Sequence, residues 1–229
     1  MINVADKNGY LEQILNDYPD AIIVDMKDDS LKYLSPLYPY GDIPVPFDSG
    51  NMKACCVEAV WEGLKVFEHM GVDTNVFEKY RHRTSEMYGK FIGFQRGVYG
   101  HDILSIDEAY KSIYFRQYKW MLENHAMKFV DKLRQYDSEN KCVVLLDDNT
   151  NGDMKNLSLD NKISHVYLFQ AYALGLPPYE DVFEVVEISK YLTTGRREWN
   201  ERIMHRRPKV MEPQCGKFPQ QTEIDFGIW

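Results

Sequence analysis

Glu58 and Lys65 stand seven residues apart in the stretch CVEAVWEGLKVF, residues 56–67. Seven residues is close to two helical turns, so in a helix the carboxylate and the ammonium lie almost one above the other. Val57, Val60, Trp61, Leu64 and Phe67 recur at the three-four spacing of one helical face. That periodicity predicts a helix over residues 53–69, with Gly71 as its stop and the Glu58–Lys65 pair on the border of its apolar stripe. The chain just before it carries Pro36, Pro39, Pro44 and Pro46, which forbid regular helix. Tyr33, Tyr38 and Tyr40 anchor that loop. An acid and a base beside an aromatic-rich loop form one wall of a polar pocket. The same two residues also suit a solvated helix face, which is where most glutamates and lysines sit.

A second group of acids follows the best strand in the chain. CVVLL, residues 142–146, is short and β-branched at its centre, and it runs into DDNTNGD. Asp147, Asp148, Asn151 and Asp153 could be projected into a pocket from the end of a buried strand, or could simply make a turn. His165, at the start of a helix expected over residues 163–174, is a candidate proton carrier near neutral pH. A helix-start imidazole satisfied by backbone is the alternative. KYRHR, residues 79–83, reads as a solvated helix face or a phosphate contact. YGKFIGFQRGVYGH, residues 88–101, sets Gly89, Gly93, Gly97 and Gly100 among Lys90, Arg96, Tyr99 and His101. Its spacing is neither a P-loop nor a dinucleotide fingerprint, and it reads as an irregular loop.

The elements that must position these groups are mostly helices. A short helix is expected within residues 1–18, a buried strand at AIIV (21–24), and a long helical region over 106–133 that breaks near Arg116. Another helix is expected over 180–192. From residue 193 the chain turns basic, then rich in Pro and Gln. The expectation is an α+β fold: a mostly helical single domain with a few short strands over residues 1–192, and an extended C-terminal arm over 193–229. That arm makes a second copy of the chain a candidate partner, giving a homo-oligomer.

Composition narrows the function. The chain has 229 residues, 44% hydrophobic and 27% charged, enough for one sizeable core. A net charge of −8 argues against an extended nucleic-acid surface but allows a small anionic ligand held by a few local cations. No apolar run reaches membrane-spanning length and the first residues show no signal-peptide pattern, so no membrane partner and a cytoplasmic setting are expected. Cys55, Cys56, Cys142 and Cys215 form neither a zinc spacing nor a disulfide framework, and no metal or cofactor is expected.

The central stretch resembles the NADAR family of N-glycosidases. That family carries a loop F-L-S-N-F-Y-P and then a helix S-V-E-H-Y-Y-Q-A-x-K-F; here the text is YLSPLYP (33–39) and CVEAVWEGLKVF (56–67). Glu58 falls on the family's catalytic glutamate and Lys65 on its helix lysine. GKFIGF echoes the next block, A-K-x-L-G-R, with Lys90 and Gly93 in place, and VVLLDD matches the closing strand and aspartate. Pro36 stands where the family has Asn, Trp61 where it has Tyr and Phe94 where it has Arg, and the W-G-x-G closure is missing. The resemblance covers roughly residues 31–175 and is specific over 33–67.

The resemblance implies a hydrolase that cleaves the N-glycosidic bond between ribose and a base or amine nitrogen. The substrate would be nucleotide-like, of the ADP-ribosyl-guanine or phosphoribosylamino-pyrimidine type. Glu58 would stabilise the oxocarbenium-like ribose or activate water, with Asp147 or Asp148 as second acid. Lys65 and Lys90 would hold phosphate, with Arg81 or Arg96 in reserve. Tyr38, Trp61, Tyr99 or Trp120 would stack on the base, and Asn151 and His165 would line the site. The alternative on the same scaffold is a non-catalytic binding protein for ADP-ribose or a related nucleotide.

Overall fold

The computed structural model describes residues 1–9, 11–48 and 51–179, and Met1–Tyr179 form one compact unit. The expected helix over 180–192 and the arm over 193–229 lie outside the described residues. In chain order the elements are β1 (Ile2–Asp6), α1 (Leu11–Asp17), β2 (Ile22–Asp25), a 3-10 turn at Asp29–Leu34, β3 (Ile43–Pro44), β4 (Lys53–Ala54) and α2 (Val57–Leu64). Next come β5 (Lys65–Phe67), α3 (Asn75–Glu78), α4 (Ser85–Tyr88), β6 (Phe91–Gln95) and β7 (Ile103–Leu104). The last are α5 (Ile106–Ala109), α6 (Phe115–Met121), α7 (Met127–Ser138), β8 (Val143–Asp147) and α8 (His165–Leu174). The mixed α+β class stands as expected.

Three strands form a parallel sheet in the order β1-β8-β2. β8 is central and every one of its residues is buried, which is why CVVLL reads as an unbroken apolar run. The register sets Asp6 opposite Asp147 and Asp25 opposite Leu146. Three carboxylates therefore stand at the C-terminal edge of this sheet, the edge where open parallel sheets take ligands. β1 escaped the sequence reading because Ala5 and the exposed Asp6 end a weak apolar pattern.

The long region after residue 105 starts with a capping box: Ser105 Oγ accepts from the Glu108 amide while Glu108 accepts from the Ser105 amide. It contains two π-helical turns, at Tyr110–Tyr114 and Leu122–Ala126. The break expected near Arg116 is not found: the chain stays helical from the first π turn into Phe115–Met121. Each wide turn shifts the inward face, so that Tyr110, Ile113, Tyr114, Tyr118, Met121 and Leu122 can all be buried.

Three expectations are corrected. The helix predicted over 53–69 is α2 alone, eight residues long; the chain enters it from β4 and leaves it as β5. The apolar spacing runs on through Phe67, but Lys65, Val66 and Phe67 pair antiparallel with β6 and become strand. The stretch over 88–101 is no irregular loop throughout, since Phe91–Gln95 is that partner strand. KYRHR is no helix face: it is the link between α3 and α4, and its Arg83 is 1% exposed.

Candidate functional site

All eight residues of α2 are buried, including Glu58 at 8% and Glu62 at 0% exposure. The proline loop holds the start of this helix. The Glu58 amide, an orphan donor of the first turn, is accepted by the Pro36 carbonyl at 3.0 Å. Tyr118 in α6 donates its hydroxyl to the Leu34 carbonyl at 2.9 Å, tying the same loop to the long helical region.

The Glu58 carboxyl accepts the Tyr114 hydroxyl at 2.7 Å. Burial first, and then the Glu58 carboxyl, push the Tyr114 phenol well above its ordinary value, so it stays a donor. Tyr110 is raised by the same two causes in the same order. Tyr80 is pushed up to about 12 by burial, then by Glu58 and Glu62. The acid thus sits among three phenols.

One turn on, Glu62 gathers a ring of donors. Lys65 Nζ donates to Glu62 Oε1 at 2.7 Å, His82 Nδ1 lies 3.0 Å from the same oxygen, and the Arg83 amide donates to Oε2 at 3.0 Å. Lys65 is 2% exposed, and its burial pulls the ammonium below the usual lysine range against the support of Glu62. Arg83 braces the turn from helix to strand. Its guanidinium donates to the carbonyls of Glu62 at 2.9 Å, Lys65 at 2.8 Å and Gly71 at 2.6 Å.

The second acidic group is at the end of β8. Asp147 is 1% exposed; Lys27 Nζ lies 3.2 Å from one carboxylate oxygen and His165 Nδ1 3.7 Å from the other. Asp148 is exposed and shares Lys27 at 3.5 Å. Burial works against the Lys27 charge, but Asp147 and Asp148 outweigh it and hold the ammonium above its usual range. Burial pulls His165 below its ordinary value; the Asp147 carboxylate opposes this and Lys27 adds to it.

The turn between β8 and α8 links the two acidic groups. Asn149 and Asn151 both donate to the Lys162 carbonyl, at 3.2 and 3.1 Å, and the Asn151 carbonyl accepts from the Ser164 amide at 2.9 Å. Ser164 then caps α8. Lys162 lies close enough to Lys65 to lower its proton affinity, while His165 meets Asp147. Three residues of chain span at most about 10 Å. One short segment therefore borders both the Lys65 end of α2 and the Asp147 end of β8. A cleft of about 430 Å³, lined by Tyr110, Phe115, Leu157, Lys111 and Lys155 among others, meets this group only at Tyr110; none of Glu58, Lys65, Asp147 or His165 lines it. That volume is within the range of small-ligand pockets, ~300–1,000 Å³.

The other candidates lie elsewhere. Trp61 is 1% exposed and packs on Phe94 at 4.0 Å and Tyr110 at 4.7 Å between ring centroids; it belongs to the core and offers no stacking face. Tyr38 lies between the Tyr33 and Tyr40 rings, at 4.8 and 4.7 Å, in an aromatic ladder that continues onto His125. Lys90 is exposed, its backbone paired with Glu68. Tyr99 is 76% exposed in the loop after β6. Asp153 accepts from the Lys155 amide and the Asn156 side chain within its own turn. Arg81 pairs with Asp73.

Sequence reasoning missed Glu62, Tyr114 and Lys27, and read Arg83 only as part of a solvated face or a phosphate contact. A usable signal existed for Glu62. In VEAVWEGL two acids four residues apart share one face of a helix that is otherwise apolar nearly all round, so at least one must be buried. Tyr114 and Lys27 come from distant chain, and nothing local marks them.

Among the described residues no group of three His, Cys, Asp or Glu side chains is placed to share a metal ion, and no helix is long and apolar enough to cross a membrane. No curated protein and no solved structure matches the chain. The profile of a family of unknown function, DUF6939, matches residues 6–169, most of the chain, and the protein belongs to that family.

Proposed function

We propose that the protein hydrolyses the N-glycosidic bond between ribose and a base or amine nitrogen in a nucleotide-like substrate. The observation that carries this reading is the carboxyl of Glu58, 8% exposed and held by one phenol at 2.7 Å. A buried carboxyl oriented by one hydroxyl is placed to take a proton from water or to face a developing positive charge.

The chemistry asks for few groups. As the C1′–N bond lengthens, positive charge grows on the ribose. Glu58 faces that charge or takes a proton from the attacking water. Tyr114 fixes which carboxyl oxygen is free to act. Lys162, beside Lys65, supplies a cation for phosphate, because Lys65 itself is committed to Glu62. Asp147, oriented by Lys27 and His165, serves as the second acid and holds a ribose hydroxyl.

The test is incubation with ADP-ribosylated guanosine and with phosphoribosylamino-pyrimidines, following release of the free base or nucleoside and the reducing sugar. Glu58→Gln should lower turnover by ~10²-fold or more, the usual worth of a general acid or base. A variant as active as wild type removes the assignment.

One observation favours a second reading, a binding protein for ADP-ribose or a similar nucleotide. Pro36 and Phe94 stand where the resembled family has Asn and Arg. Tight binding without turnover, surviving Glu58→Gln, is the outcome this reading expects.

A further inference from the structure

The link between α3 and α4 brings one more proton carrier to α2, and its role rests on the hydrolase reading. His82 is 54% exposed at its side chain, and its Nδ1 lies 3.0 Å from Glu62 Oε1. Among the described residues its Nε2 has no hydrogen-bond partner. Glu62 cannot turn away. It is fully buried, with Lys65 Nζ on Oε1 and the Arg83 amide on Oε2. A fixed carboxylate on one ring nitrogen selects the tautomer and aims the other, the arrangement by which acids orient imidazoles in many active sites. Glu62 and Glu58 are four residues apart on one helix face, about 5–6 Å between Cβ atoms. Tyr80 borders both carboxyls. The groups around His82 are Glu62 and Lys65 from α2 and β5, and Tyr80, Arg81 and Arg83 from its own link, with Arg81 held by Asp73.

We infer that His82 is the general acid that protonates the leaving nitrogen, with Glu62 as the positioning residue that fixes its ring. The C1′–N bond breaks and its electron pair goes to the nitrogen, which takes the Nε2 proton of the His82 imidazolium and leaves the neutral ring. The water oxygen bonds to C1′ and gives its proton to Glu58. Solvent then returns a proton to His82 and removes one from Glu58, so one water is consumed and no other reactant is needed.

Leaving-group dependence tests this on the full chain. The probes are a phosphoribosylamino-pyrimidine, whose nitrogen must be protonated to leave, and p-nitrophenyl ribofuranoside 5′-phosphate, whose phenolate leaves unaided. His82→Gln should lose ~10²–10⁴-fold on the first, the usual worth of a general acid, and less than about tenfold on the second. Equal losses on both overturn the inference and leave Glu58 in place. A wild type that turns over neither, nor ADP-ribosylated guanosine, removes the hydrolase reading and this role with it. The ¹⁵N spectrum of the imidazoles reads the orientation separately. In the neutral form, the one left once Nε2 has given up its proton, the Nδ1–H tautomer should dominate at His82 in the wild type and weaken in Glu62→Gln. An unchanged tautomer removes Glu62 as the positioning group.

Discussion

Tyr114 donates its hydroxyl to Glu58 across 56 residues of sequence, at 2.7 Å and with both side chains buried. Tyr114→Phe deletes that donor and nothing else, leaving a buried carboxyl without its partner. The variant should unfold about 1.5–3 kcal/mol more easily, the range for a hydrogen bond to a charged group. On the proposed hydrolase reading it should also lose turnover on the ribosyl substrates. Urea unfolding checks the first point, and an unchanged midpoint would mean that the bond contributes nothing.

The Glu62–Lys65 pair should behave as a unit. Lys65→Met leaves a fully buried carboxylate short of its ammonium and should cost about 3–5 kcal/mol. Adding Glu62→Gln should recover part of that loss. In a double-mutant cycle by chemical denaturation, a coupling below about 0.5 kcal/mol would show the two to be independent.

Gly63 lets α2 approach α3. A Cβ at this position would overlap the ring of Phe77, itself 1% exposed. Gly63→Ala should cost about 1–3 kcal/mol by overpacking, despite alanine's better helix propensity. Phe77→Leu in the same chain should restore some of it. A Gly63→Ala protein that melts above wild type would contradict this packing.

His165 gives the stability a pH dependence. Its folded value is lowered from the ordinary 6.5 by burial, opposed by Asp147 and reinforced by Lys27. Between the folded value and about 6.5 the unfolded chain binds the proton and the native one does not. Stability therefore falls as the pH drops below about 6.5, by at most about 1.4 kcal/mol per pH unit. Melting curves from pH 7.5 to 5 should show a shallower acid slope for His165→Gln. Parallel slopes would count against an imidazole held neutral in the native state.

Much of the frame was legible because it is written locally. AIIV and CVVLL became β2 and β8, and the helix expected from residue 163 begins two residues later, after its Ser164 cap. Periodicity set Glu58 at the edge of the apolar stripe, whereas the fold buries it. The error came from reading one helix through Phe67. β5 exists because β6 pairs with it, and a pairing partner about 25 residues away leaves no local trace. The fate of Lys65 was hidden for the same reason, since its ammonium turns back onto Glu62 only once the backbone has left the helix at that residue. Lys27 and Asp147 meet because parallel strands align their ends, a relation set by topology and not by motif.

The guanidinium of Arg83 joins three carbonyls that belong to the end of α2, to β5 and to the bend at Gly71. Lifting the link between α3 and α4 would strand all of them together, at about 1–3 kcal/mol for each buried polar group left unmade. The end of α2, the first residue of β5 and the bend at Gly71 are therefore held together by one side chain.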